Sequence, residues 1–105
     1  MIVRQRLNPL LRLFMAERFR DFRMEQHFTQ EQMSEKLWIS PRSYIDLEHG
    51  RYRCSMMTAF LFLLCLEDDE VLHFVHDFRD LVQKETEHEA LKRSSDHNRH
   101  LQYPV

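Results

Sequence analysis

Side chains able to make directed polar contacts cluster around the only glycine of the chain, Gly50. Arg42 and Ser43 precede it in a short segment with helical spacing, and Arg51 and Arg53 follow it. A guanidinium can donate two parallel hydrogen bonds to guanine O6 and N7, and it can also neutralise a phosphate. This small polar and basic face is typical of a DNA-reading surface.

The remaining polar residues form no pattern that catalysis or metal binding requires. His73 and His76 lie three residues apart, and His88, His97 and His100 follow, but the set matches no known ligand spacing. The sequence has no nucleophile paired with a base and no glycine-rich phosphate loop. We therefore predict no enzymatic activity, no metal site, no cofactor and no small-molecule substrate.

Composition favours one helical domain. The 105 residues are 43% hydrophobic and 30% charged, which suits a soluble protein with one modest core. One glycine and three prolines leave few places for hairpin turns, and the apolar spacing is helical, so we expect an all-α fold. There is no signal-peptide pattern, and the longest apolar run, residues 56–66, is too short to cross a bilayer. We expect a cytoplasmic protein without membrane contact.

Charge is distributed unevenly although the net charge is only −2. Residues 1–30 hold six arginines and three acids, residues 31–66 hold four of each sign, and residues 67–105 hold five bases and ten acids. A basic first part is thus joined to an acidic C-terminal part. The small net charge mildly opposes duplex binding, which draws most of its affinity from neutralised phosphates.

The chain before residue 29 predicts one amphipathic helix. Asn8 is the expected N-cap and Pro9 the expected first-turn residue. Apolar residues from Leu10 onward recur every three or four positions, giving one buried stripe. Most of the arginines between residues 12 and 23 are expected on a solvated face, with one or two within reach of phosphates.

Two start signals and one stop signal define the next two helices. Thr29 and Gln32 form a capping box, in which each side chain bonds the backbone N–H of the other residue. Ser40 followed by Pro41 predicts a second N-cap, and Gly50 predicts a left-handed stop. Two short helices joined by so brief a turn must cross at a steep angle.

The segment TQEQMSEKLWISPRSYIDLEHG, residues 29–50, resembles the helix-turn-helix of the Cro and phage-repressor (XRE) family, and the resemblance extends from about residue 11 to residue 82. It implies a lambda-repressor-like bundle of five helices in residues 1–84. Residues 85–105 are expected to be a polar extension that frays and is partly disordered. Six positions match the family pattern: Gln30, Ser34, Ser40, Leu47, Glu48 and Gly50.

The resemblance implies that the helix from Pro41 to His49 enters the major groove of double-stranded DNA. The implied base contacts come from the N-terminal half of that helix, with Arg42 the main reader. The implied phosphate contacts come from the amino end of the preceding helix and from the residues after Gly50. Base contacts are assigned to Pro41, Arg42, Ser43 and Asp46, and phosphate contacts to Gln30, Arg51 and Arg53.

Several features favour an alternative function. Trp38 occupies the place where the family usually has glycine, which predicts a turn built differently, and Asp46 puts a negative charge on the groove face. Glu48 is expected to bond the neighbouring helix or an arginine. The alternative to a sequence-specific transcriptional regulator is a helical protein-interaction module, an antirepressor or adaptor, that keeps the fold without strong DNA binding. A third possibility is a repressor that senses a ligand or a metal through its histidines.

The apolar residues of the last two expected helices indicate self-association. Ser55 is the expected N-cap of the fourth helix. Residues 56–66 are apolar on every side and are therefore expected to be buried all round, at the centre of the bundle or beneath a partner. Cys54 and Cys65 are expected to be small buried hydrophobes rather than a disulfide. In the XRE family the fifth helix is the usual pairing surface, which implies a homodimer through this helix and the one before it. The interface residues assigned on it are Phe74, Phe78 and Leu81, and packing in the chain's own core is the competing explanation for them.

Overall fold

The computed structural model describes the backbone of residues 2–102 and the side chains of residues 2–94, and this part of the chain forms five α-helices and no strand. The predicted all-α, five-helix class is confirmed. His97 and His100 lie outside the described side chains. The helices are α1 (Ile2–Glu25), α2 (Gln30–Lys36), α3 (Pro41–Glu48), α4 (Met56–Leu64) and α5 (Asp68–Gln102).

Side-chain caps start the three short helices, as the sequence predicts. Thr29 Oγ1 accepts from the Gln32 amide at 3.0 Å, and Gln32 Oε1 accepts from the Thr29 amide at 2.8 Å, which completes the capping box. Ser40 and Ser55 accept at 3.1 Å from the amide three residues on, at the starts of α3 and α4. Each cap satisfies a backbone donor that the helix itself leaves unpaired.

Left-handed residues stop α1, α2 and α3. They are His27, Trp38 and Gly50, with φ of 58°, 60° and 70°. At each stop the amide of the next residue bonds the carbonyl five residues back, at 2.9–3.0 Å, which is the Schellman pattern. Trp38 therefore keeps the left-handed turn, and the expectation of a different turn is wrong. The hydrogen bonds of the stop offset a conformational cost of about 1 kcal/mol or more for a non-glycine residue.

The first helix begins earlier than predicted. It starts at Ile2, and Pro9 lies inside it rather than in its first turn, so the expected N-cap at Asn8 is wrong. Pro9 removes one backbone hydrogen bond. The added turns bring the half-buried Arg6 beside the buried Glu89 of α5, at 3.3 Å between Nη1 and Oε2, and this contact with α5 favours the longer helix.

The core lies between α1, α2, α3 and α4. Phe19 is fully buried and packs edge-on against Tyr44 and Phe62, with ring centroids 6.0 and 4.8 Å apart. Met33 and Leu37 of α2 are also fully buried. α1 and α2 thus fix α3 from its inner side and leave the outer side of its first turn exposed.

The fourth helix is not enclosed by the bundle. Thr58 and Phe62 are its buried residues, so the expectation that it lies at the bundle centre is wrong. Met56, Met57, Phe60 and Leu64 are 59–81% exposed. Cys54 and Cys65 are free thiols and are half-buried rather than fully buried.

The fifth helix packs against α1 and continues past residue 84 as far as Gln102. The domain boundary at residues 84 and 85 and the partial disorder beyond it remain predictions, and residues 103–105 lie outside the described chain. None of the described helices is long and apolar enough to cross a membrane.

Candidate nucleic-acid interface

The outer face of the α2–α3 pair presents the predicted base-reading side chains. Pro41, Arg42 and Ser43 form the first turn of α3 and are exposed. On the opposite side of the same helix Tyr44 is fully buried and Leu47 is 9% exposed. The α3 backbone is therefore fixed by its apolar side while its first turn faces solvent.

Ser43 keeps its hydroxyl proton available. Its Oγ accepts from the Ser40 hydroxyl at 2.9 Å, and its amide donates to Ser40 Oγ at 3.1 Å. A hydroxyl has one donor and two acceptor positions, so Ser43 can still donate outward to a base or a phosphate. The cap of α3 therefore orients Ser43 without using its donor.

Asp46 is paired on the groove face rather than presented to solvent. It is 8% exposed, and its carboxylate accepts from Arg51 Nη1 at 2.9 Å. Arg42 Nε lies 3.6 Å from the other carboxylate oxygen, while the Arg42 side chain is 77% exposed. One buried acid thus lies between two exposed guanidinium groups and leaves a net charge of one positive unit.

Glu48 joins α3 to α1 and α2. It is 5% exposed, and Oε1 accepts from Arg23 Nε at 2.6 Å and from the Tyr44 hydroxyl at 3.0 Å. Oε2 accepts from Gln30 Nε2 at 2.6 Å. The predicted structural role of Glu48 is confirmed. Arg23 departs from the solvated face expected for most arginines of α1, because it donates to Glu48 and also to the Phe28 carbonyl at 3.2 Å.

The Glu48 contacts determine how its neighbours titrate. Burial by itself would raise the pKa of Glu48, but hydrogen bonds from Arg23, Gln30 and Tyr44 outweigh burial and hold that pKa below its ordinary value. Burial, followed by the nearby carboxylate, raises the pKa of Tyr44. The hydrogen bond to Glu48 raises the pKa of Arg23 despite its partial desolvation. At neutral pH the cluster therefore contains an ionised Glu48, a charged Arg23 and a neutral Tyr44.

Gln30 is both a link to Glu48 and a predicted phosphate contact. It is the first residue of α2 and is half-buried. A side-chain amide carries two N–H donors, and only one is needed for the bond to Glu48. The second donor, at the amino end of a helix, remains available for an anion.

Arg51 and Arg53 extend the basic surface beyond α3. Both are exposed, and the Arg51 guanidinium is oriented by its bond to Asp46. Arg53 also lines a cavity on the side of the linker, residues 49–55, that faces α1 and α5. The base and phosphate contacts assigned to the seven residues from Gln30 to Arg53 remain predictions.

The predicted dimer residues of α5 pack partly within the chain. Phe14 of α1 contacts Phe74 and Phe78, with ring centroids 5.3 and 5.6 Å apart. Both of these phenylalanines and Leu81 are half-buried. On α5 the more exposed leucines are Leu72 and Leu91, which are 62% and 72% exposed.

Sequence reasoning missed three contributions to this surface. It did not identify Arg23 as the partner of Glu48, because an arginine 25 positions away on another helix leaves no local sequence signal. It did not pair Asp46 with Arg42, although the four-residue spacing is typical of a helical ion pair. Trp38 was noted for its position alone, and its indole is 84% exposed.

Comparison with known proteins identifies the central part of the chain. Residues 19–64, from the second half of α1 to the end of α4, match the family model described as Helix-turn-helix. No curated protein and no solved structure gives a significant match.

Proposed function

Residues 19–64 carry a helix-turn-helix of the Cro and phage-repressor (XRE) family of DNA-binding regulators, and from this premise we propose that the protein is a sequence-specific transcriptional regulator. The helix from Pro41 to His49 reads the major groove of double-stranded DNA. The observation that carries the proposal is the exposed first turn of α3, where Arg42 projects from a helix whose other side is buried.

Arg42 is the residue proposed to read sequence. Its ion pair with Asp46 is loose, at 3.6 Å, and leaves most of the guanidinium exposed for a bidentate contact with guanine. Ser43 donates its free hydroxyl proton to a neighbouring base or phosphate, and Pro41 contributes apolar contact. Asp46 orients Arg42 and Arg51. A direct hydrogen bond from cytosine N4 would have to share a carboxylate oxygen of Asp46 with one of these arginines.

Gln30, Arg51 and Arg53 are proposed to bind phosphates on the two sides of α3. The second amide donor of Gln30 and the exposed arginine side chains support this assignment. These contacts fix the register of the helix on the duplex without reading sequence. They also make binding strongly salt-dependent.

The regulator is proposed to act as a homodimer through α4 and α5. The exposed side chains of Met56, Met57, Phe60 and Leu64 form an apolar surface that one copy leaves uncovered, and a second copy related by two-fold symmetry would cover it. Leu81, Phe74 and Phe78 would line the same interface from α5. A dimer would place two reading helices about 34 Å apart, one turn of DNA.

Duplex binding at increasing salt tests the function. The wild-type protein should bind a mixed-sequence duplex at low salt, with log K falling linearly as log salt rises. If fluorescence anisotropy shows no duplex binding at low salt while the protein remains folded, the proposed function is wrong. The alternative protein-interaction module would then account for the exposed apolar surface of α4.

A further inference from the structure

A cavity of about 240 Å³ lies between α1, the linker of residues 49–55, α4 and α5. Its walls are mostly apolar and include Met15, Phe74 and Phe78. Two arginines, Arg12 of α1 and Arg53 of the linker, also line it. An apolar cavity with a small number of convergent polar groups is the usual form of a small-molecule site.

The charge of the cavity is entirely positive. Its described lining residues include no aspartate or glutamate beside the two arginines. Cys54 also lines it, and burial raises the pKa of this thiol to about 11, so that it is neutral at physiological pH. The lining therefore complements an anion with an apolar body.

Arg12 carries a donor that lacks a partner. Its Nε is buried and makes no hydrogen bond to any described residue. An unpaired buried donor costs about 1–3 kcal/mol, and more when the group is charged. The Arg12 side chain lines the cavity, so an acceptor placed there can reach its guanidinium, and a carboxylate can accept two parallel hydrogen bonds from that group.

We propose that this cavity binds a small amphipathic carboxylate. The carboxylate accepts hydrogen bonds from Arg12 and Arg53, and the hydrocarbon part packs against Met15, Phe74 and Phe78. The modest volume suits a chain of medium length rather than a long-chain lipid. The site uses none of the side chains proposed to read bases.

Ligand binding at Arg53 would also regulate DNA binding, and this second step rests on the proposed function. Arg53 is assigned to a phosphate, and a guanidinium held by a carboxylate in the cavity is no longer available to the duplex. The carboxylate is therefore an effector that lowers DNA affinity. Loss of one phosphate contact also reduces the salt slope by about one unit.

Calorimetric titration with octanoate tests the site on the intact protein. We expect saturable binding of one octanoate per chain, weaker binding of octanol and still weaker binding of butanoate. Each buried methylene strengthens binding about fourfold, which sets the difference between the two acids. Absence of saturable binding at millimolar octanoate overturns the proposal, and so does equal binding of octanol.

Matched variants locate the site. Arg12→Gln should weaken octanoate binding about tenfold or more, because a charged hydrogen-bonding partner is lost, whereas Arg20→Gln on the exposed face of the same helix should not. Ala59→Phe, which fills the cavity from α4, should abolish binding, and the melting temperature of each variant verifies folding. Unchanged binding in folded Arg12→Gln or Ala59→Phe overturns the proposal. Because Phe74 and Phe78 are also assigned to the proposed dimer, octanoate is titrated into Phe60→Ser, the proposed monomer, as well. Wild-type octanoate affinity is expected in this variant, and loss of binding in it overturns a site formed within one chain.

Duplex titration with and without octanoate tests the regulatory step separately. Octanoate should weaken duplex binding of the wild-type protein and leave that of Arg12→Gln unchanged. Octanoate binding without any effect on duplex binding overturns the effector role. Octanoate binding by a protein that binds no duplex leaves the cavity site supported and contradicts only the proposed DNA function.

Discussion

Arg23 Nε donates to Glu48 Oε1 at 2.6 Å and thereby connects the last turn of α3, the proposed DNA-reading helix, to the long first helix. Glu48 is 5% exposed, so this ion pair is largely shielded from water. Breaking a buried pair by removing one charge costs about 3–5 kcal/mol, because the other charge is left uncompensated. The orientation of α3 therefore depends on an interaction that reaches outside the helix-turn-helix itself.

Glu48→Gln should destabilise the protein by about 3 kcal/mol, since the Arg23 guanidinium then lacks a counter-charge. Urea unfolding at neutral pH measures this change. Glu87→Gln, at an exposed position of α5, should change the free energy of unfolding by less than about 0.5 kcal/mol. Equal stability of Glu48→Gln and the wild-type protein would show that the buried pair contributes nothing.

Acid should unfold the protein in part through Glu48. Because the pKa of Glu48 is lowered in the folded state, its contribution to stability is fully present above the unfolded carboxyl pKa of about 4.3. That contribution is lost as pH falls through the lower folded-state pKa. The free energy of unfolding, measured from pH 6 downward, should therefore decline less steeply in Glu48→Gln than in the wild-type protein. Parallel curves would contradict the assignment.

Gly50→Ala and Trp38→Gly should act in opposite directions, although both residues stop a helix in the left-handed conformation. A Cβ at residue 50 would lie 3.2 Å from Leu13 Cδ2 at a φ of 70°, so Gly50→Ala should destabilise by about 1–2 kcal/mol. Trp38 is 84% exposed, so its replacement loses little packing.

Trp38→Gly relieves the left-handed strain but gives the unfolded chain more conformational freedom. The net gain is therefore expected to be small, about 0.5 kcal/mol. Thermal unfolding of the two variants beside the wild-type protein measures both changes. A Trp38→Gly variant that is destabilised by 1 kcal/mol or more, on the order of a buried contact, would show that the indole packs in solution.

Phe60→Ser should convert the proposed dimer to a monomer and leave the fold intact. Phe60 is 59% exposed in one chain, so the loss falls on the interface rather than on the core. Met24→Ser is a matched control, because Met24 is equally exposed, at 59%, but lies at the end of α1. Sedimentation equilibrium should show a dimer for Met24→Ser and a monomer for Phe60→Ser. A wild-type protein that is monomeric at all concentrations would contradict the assembly.

Local chemistry made much of the fold predictable from the sequence. The side chains of Thr29, Ser40 and Ser55 each accept a hydrogen bond from the amide three residues on, and Gly50 supplies a positive φ. These helix boundaries therefore follow from short-range interactions. The family pattern placed Glu48 correctly as a structural residue. The helix ends are thus determined by residues that lie within a few positions of them in the sequence.

Long-range contacts determined what the sequence could not predict. The helix runs through Pro9 and its N-terminal turns reach Glu89 of α5, and no local pattern signals that pairing. Glu48 pairs with Arg23, one of six arginines in residues 1–30. Which arginine it pairs with depends on how α1 crosses α3. The exposure of α4 depends on how much surface the other helices cover, and its uniformly apolar sequence carries no information about which side faces solvent.

Asp46→Asn should raise affinity for DNA and relax sequence preference together. Removing the negative charge strengthens attraction to phosphates, while Arg42 loses the carboxylate that orients it. Anisotropy on a preferred and an unrelated duplex measures the ratio of affinities, which should fall relative to the wild-type ratio. A rise in that ratio would indicate that Asp46 repels DNA without orienting Arg42.

Selection from a randomised duplex library tests the central claim most directly, with the wild-type protein, Arg42→Ala and Arg51→Ala compared at low salt. The wild-type protein should enrich a sequence with two half-sites about one helical turn apart, Arg42→Ala should lose preference at one base pair in each half-site, and Arg51→Ala should enrich the same sequence with weaker binding. If the folded wild-type protein enriches no sequence, the account of α3 as a sequence-reading helix is contradicted.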